Sequence, residues 1–273
     1  MQWWCSAQTA AWEWTWQPYP GVWIFIVVLA VLYWFRLRRT AEQETGVRGE
    51  ETLRAASFFL GLVCLWIALD WPVGALGSGY LASAHMVQFL LIALVAPPLL
   101  LYGVPFSTYE RMERHLAILR PLRFLTHPLI ALAFFNVVLI STHWPSVVDN
   151  LMSSQLGSFV LDMAWLGAGL VLWWPLVAPI PRRPDFTYMY KIGYLILATI
   201  LNTPAFALLT FSELPLYATY ELAPPVHGFS TRDDQRLAGL MMKIGGGVIF
   251  WIAITVMFFR WYLAEHAESE TSA

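Results

Sequence analysis

Two histidines with sulfur-bearing neighbours are the residues of this chain best suited to chemistry. His85 is followed at once by Met86, and His143 closes the segment Ser141-Thr142-His143-Trp144-Pro145. Neutral imidazole is the commonest metal ligand. A thioether beside it suits copper, and Cu(I) in particular. Met163, Met241 and Met242 add soft donors, and Asp162 and Lys243 add charge. The candidate metal ligands are His85, His143, Met86, Met242 and Asp162, and copper is the candidate cofactor. The plainer alternative is that each histidine bonds a loop carbonyl. Asp162 and Lys243 leave three readings open: an interhelical ion pair, a carboxylate ligand balanced by Lys243, or a lysine that snorkels alone to the surface. Cys5 and Cys64 form neither a CxxC site nor a disulfide framework.

These side chains must be held by membrane helices. The 273 residues are 58% hydrophobic and 12% charged, with 15 Trp, 17 Phe and 11 Tyr. An ordinary soluble domain has about 45–50% and about 25%. Mean hydropathy is +0.58. A soluble globule cannot hide that much apolar surface. Seven stretches approach the roughly 20 apolar residues that a span needs, near 21–36, 54–71, 83–103, 128–144, 156–178, 188–212 and 237–262. The expected fold is all-α, a polytopic membrane protein with a seven-transmembrane-helix bundle. The net charge of −2 excludes a nucleic-acid binder, whose footprint is a basic patch. Membrane lipid is the first partner.

Charge sorts the two ends of the bundle. Arg36, Arg38, Arg39, Arg48, Arg54, Arg111, Arg114, Arg120, Arg123, Arg182, Arg183, Lys191 and Arg260 fall on one side, 13 of the 16 basic residues. Only Arg232 and Arg236 fall opposite, with Lys243 inside a span. The positive-inside rule then puts the N-terminus outside and the C-terminus in the cytoplasm, as an odd number of spans requires. Residues 1–20 read as a Trp-rich outer interfacial segment, 21–262 as the membrane domain, and 263–273 as an acidic cytoplasmic tail with Glu268 and Glu270.

This orientation gathers the chemistry at one end. The outer ends of the third, fourth, fifth and seventh spans share His85, Met86, His143, Asp162, Met163, Met241, Met242 and Lys243, with His227 in an outer loop. His115, His127 and His266 fall on the other side. Asp233-Asp234-Gln235 are expected to cap the seventh helix. Pro97-Pro98 should bend or end the third, and Asn202-Thr203-Pro204 should kink the sixth. Gly239, Lys243 and Gly247 share one helix face.

Several stretches, in order, give these residues a context. They are Ala84-His85-Met86-Val87-Gln88, then Val95-Ala96-Pro97-Pro98 through Tyr102-Gly103-Val104-Pro105, and His143-Trp144-Pro145. Leu166-Gly167-Ala168-Gly169 to Trp173-Trp174-Pro175, Leu216-Tyr217-Ala218-Thr219-Tyr220, and Asp234-Gln235-Arg236 through Met241-Met242 follow. Over roughly residues 55–262 the chain resembles the CtaG family of cytochrome c oxidase assembly proteins. The resemblance implies a multi-span protein of the bacterial plasma membrane that helps mature a haem–copper oxidase and handles copper at its outer face. Oxidase subunits, and a copper donor protein, would be its partners. The family usually carries a second His four residues after the one matching His85; here that residue is Phe89. Its His in the fifth span is also missing, with Asp162 and Met163 nearest. Lys243 stands where an aromatic is usual. The leading reading is an assembly factor that binds or relays copper, with no catalysis of its own. A metal-free assembly scaffold is the alternative. A copper permease ranks lower, because the inner halves of the spans carry few polar or sulfur residues.

Overall fold

The computed structural model describes residues 2–41, 48–180, 186–226, 228 and 230–271. His227, Arg182 and Arg183 lie outside them. The described chain is helical. Helices α1 (Pro20–Ala41) and α2 (Arg48–Leu69) are followed by the short α3 (Val73–Gly79). The next span is built in three pieces: α4 (Ala82–Phe89), a π-helical stretch (Leu90–Val95) and α5 (Ala96–Gly103). Then come α6 (Phe106–Arg114), α7 (Leu116–Leu125), α8 (Pro128–Thr142), α9 (Pro145–Met152) and α10 (Gln155–Val177). Helices α11 (Tyr188–Leu201), α12 (Thr203–Phe211), α13 (Ala218–Glu221) and α14 (Thr231–Thr271) complete the fold.

Six of these units are long and apolar enough to cross a membrane alone: Pro20–Arg38, Glu50–Leu69, Ala82–Gly103, Gln155–Val177, Tyr188–Phe211 and Thr231–His266. The fourth expected span differs. Helix α8 has 15 residues, about 22 Å of rise, against a hydrocarbon core of about 30 Å. It becomes a seventh span only together with Leu119–Leu125, across a bend of 71°. The protein is thus an all-α, polytopic membrane protein with six or seven spans.

The proline expectations resolve separately. Pro97-Pro98 do not end the third span. The π-helical turn precedes them, with the Ala96 amide bonding Leu91 O, and the helix then runs on to Gly103. Pro97 has no N–H to give Ala93 O, and Gly169 of α10 packs directly against that carbonyl, where a Cβ would collide. The sixth span does break, at Asn202 between α11 and α12. The last helix continues through Thr271 rather than stopping near 262.

The α4–π–α5 span is the centre of the bundle, 61% of its apolar window being buried, whereas α1 is peripheral at 11%. Helix α2 packs along α5, α10 along α8 and α5, and α14 along α4, α11 and α12. The N-terminal segment divides. Trp14 and Trp16 are exposed, but Trp4, Cys5 and Tyr19 are buried in the core. Non-helical backbone at this depth is tolerable where protein surrounds it.

Candidate functional site

His85 lies one turn into α4, and its helix is held from outside. The Asp234 carboxylate accepts from the Ala82 amide at 2.6 Å and the Ser83 amide at 3.3 Å, and from the Ser83 hydroxyl. Asp234 was expected to cap its own helix, α14. It caps α4 instead, while Ser230 accepts from the Asp233 amide at the start of α14. Beside α4, Gly77 is required by space: a Cβ would lie 2.7 Å from Gln88 Oε1 and 3.0 Å from His85 N.

His143 ends α8. Its Nδ1 is 2.8 Å from Leu139 O. A carbonyl can only accept, so Nδ1 carries the proton and the Nε2 lone pair is free, the form in which imidazole ligates metals. Nε2 is buried without a hydrogen-bond partner among the described residues. Neither ring nitrogen of His85 makes a hydrogen bond of ordinary geometry there either, the Gly77 carbonyl being the polar group that approaches it. Both rings are buried, 4% and 2% exposed. Their centres are 6.1 Å apart, within the span of one ion bonded to a nitrogen of each at about 2 Å.

An aromatic wall encloses the pair. Trp165 lies 4.8 Å from His85 and 5.8 Å from His143, ring centre to ring centre, and Phe89 lies 4.9 Å from His143. Trp165 is fixed by its indole N–H, which donates to Thr142 Oγ1 at 2.9 Å. Two tyrosines cover the site from the 212–226 connection. Tyr217 donates to His143 O at 2.9 Å, and Tyr220 donates to Gly77 O at 2.7 Å. Burial pushes both phenols up, helped at Tyr217 by Asp149, so both remain donors at neutral pH. Asp149 anchors α13 by accepting from the Ala218 and Thr219 amides.

The charged candidates are engaged elsewhere. Asp162 is buried and already satisfied: Oδ2 accepts from Trp4 Nε1 at 2.7 Å, and Oδ1 from Gln88 Nε2 at 3.0 Å. Lys243 bonds Thr203 Oγ1 at 2.9 Å and Thr199 O at 3.3 Å. The Asp162–Lys243 ion pair is therefore not formed, because each group has found neutral partners. Met86 and Met242 are core residues, 1% and 2% exposed. Met86 is about 100° round the helix from His85, so the two side chains leave α4 in different directions. Among the described residues no group of three or more His, Cys, Asp and Glu could hold a metal ion. The donors fit a two-imidazole seat of the kind copper accepts and do not fit a site needing several anionic ligands.

Sequence reasoning placed Trp4 in an outer interfacial belt, whereas it is buried, and assigned no role to Gln88, Trp165, Tyr217 or Tyr220. Gln88 and the tyrosines stand inside quoted motifs, which is the one signal they give. Trp4 gives none, since its partner is 158 residues away. No curated protein and no solved structure matches the chain. A family model does, over residues 28–264, most of the chain. The chain belongs to the family of cytochrome c oxidase caa3 assembly factors (Caa3_CtaG).

Proposed function

We propose that this chain is a seven-span protein of a bacterial plasma membrane that holds one Cu(I) between His85 and His143 during haem–copper oxidase assembly. Its N-terminus is outside and its C-terminus cytoplasmic, a reading supported by the 13 basic residues on one side. The observation that carries the copper assignment is the pair of buried imidazoles 6.1 Å apart, with Nε2 of His143 and both ring nitrogens of His85 lacking a hydrogen bond of ordinary geometry. Buried polar atoms are nearly always satisfied, so an unsatisfied pair facing one wall of rings points to a ligand. Cu(I) suits two neutral donors in an apolar surround. Oxidase subunits would receive the metal and a copper donor protein would supply it. Family membership supports the assembly role, and neither binding nor relay needs a catalytic group.

Purified full-length protein, loaded anaerobically with Cu(I), retains close to one copper per chain, and His85→Ala or His143→Ala loses it. A second reading has its own support. Phe89 and Trp165 already fill the space about the rings, and both Asp162 oxygens are engaged, as a metal-free scaffold would have them. Copper retention no greater than in the two variants would establish that reading.

A further inference from the structure

We propose that Lys243 marks a lateral docking face for a transmembrane helix of another protein that carries a carboxylate. This surface is separate from the histidine pair and does not depend on copper.

Depth and direction come first. Helices α14 and α12 run antiparallel, and Gly239 is level with Thr210. Lys243 is one turn further along α14 and faces Phe206, its ammonium 5.7 Å from that ring centre. It lies seven residues past Arg236, about 10 Å along the helix. The ammonium does not turn back toward the near polar edge. It bonds Thr203 Oγ1 and Thr199 O, which lie deeper than Phe206 when counted from Phe211. A snorkelling lysine does the opposite.

Charge comes second. An ammonium has three N–H donors; two are used on neutral oxygens and the charge also lies over the Phe206 ring, so each of these partners is uncharged. Lys243 has no carboxylate partner among the described residues. An ionisable group inside a span normally pairs. Access comes third. Lys243 is only partly buried. Leu240 and Ile244 on α14, and Ile196 and Ile200 on α11, are all exposed. Gly247, on the same face one turn on, has open space where a Cβ would stand, so a second helix can approach closely.

These facts select the occupant. Lipid phosphates lie at the polar edge, away from the direction the side chain takes. A second copy of this chain matches less well among the described residues. Asp70, Asp162 and Asp234 are buried. The exposed Glu213 and Glu221 lie beyond the end of α12, and the exposed Asp233 lies in the first turn of α14, all nearer the polar edge than Lys243. A foreign membrane helix with Asp or Glu about 10 Å below the surface matches both charge and depth.

The test is photo-crosslinking in native membranes with a benzophenone amino acid at Ile244, in the full-length protein. The expected adduct is a membrane protein whose attached segment has Asp or Glu within one helical turn. Lys243→Met lowers its yield about tenfold while Lys243→Arg retains it. Lys243→Glu with the partner's carboxylate changed to Lys restores it. Gly247→Leu, which keeps the charge and fills the space, lowers it too, guarding against misfolding of Lys243→Met. Adducts with lipid alone, adducts with a second copy, or a yield indifferent to Lys243→Met would each overturn the proposal.

Discussion

One turn of α4 separates two buried polar clusters with opposite fates. At Gln88 the amide donates to Asp162, and Trp4 donates to the same carboxylate, so both oxygens are satisfied. At His85, three residues earlier, neither ring nitrogen makes a hydrogen bond of ordinary geometry, although the Gly77 carbonyl approaches it, and His143 across from it keeps Nε2 unpartnered. Both clusters are sealed from solvent, so burial does not distinguish them. Satisfaction does. The Asp162 cluster behaves as structure: it ties the N-terminal segment to α4 and α10. The histidine pair behaves as a seat, with its helix capped by Asp234 and its covering tyrosines anchored, yet with its lone pairs unspent.

Removing an imidazole should give the largest effect. His85→Ala is expected to cut Cu(I) affinity at least ~100-fold, since a two-donor site becomes a one-donor site, as a competitive chelator titration would read. An equal affinity would erase the distinction between the clusters. Asp162→Ala should do the reverse. It strands the Trp4 and Gln88 donors at a cost of about 1–3 kcal/mol each, seen as a lower thermal midpoint, while copper stoichiometry holds. Lost copper with an unchanged midpoint would make Asp162 part of the seat. Phe89→His sharpens the comparison further, because an imidazole at i+4 from His85 stands beside His143. A tenfold tighter Cu(I) affinity is expected, about 1.4 kcal/mol. No gain would mean that the wall cannot admit a third donor.

The smallest effect concerns Cys5, which the N-terminal segment buries. Burial, then the nearby Asp162 and Asp70 charges, push its thiol well up. An unfolded thiol ionises near pH 8.5, so the stability Cys5 contributes is intact below that pH. It falls as pH rises from there toward the folded value. Iodoacetamide at pH 9 should modify Cys5 only in denatured protein. Rapid labelling of the native chain would show that the segment is open.

Much of this was readable from the residues. Composition and apolar run lengths give the membrane class and six spans within a few residues. The fourth span was placed near 128–144, which matches the position of α8, but nothing in hydropathy records that α8 needs Leu119–Leu125, across a 71° bend, to make up a span. At Asp162 and Lys243 opposite signs at similar depth left a pair among three open readings; an indole, an amide and a broken helix's oxygens are the partners found. Asp234 shows the same limit, since a capping residue next to one helix start can serve another 151 residues away. That His85 and His143 share one end of the bundle was legible from span order and charge; that their rings converge to 6.1 Å needed the structure.

X-ray absorption on the anaerobically Cu(I)-loaded protein tests the central claim most directly. The account predicts a copper shell of two nitrogen scatterers at about 2 Å, lost in His85→Ala and in His143→Ala. A shell dominated by sulfur, or copper that survives both substitutions unchanged, would contradict it.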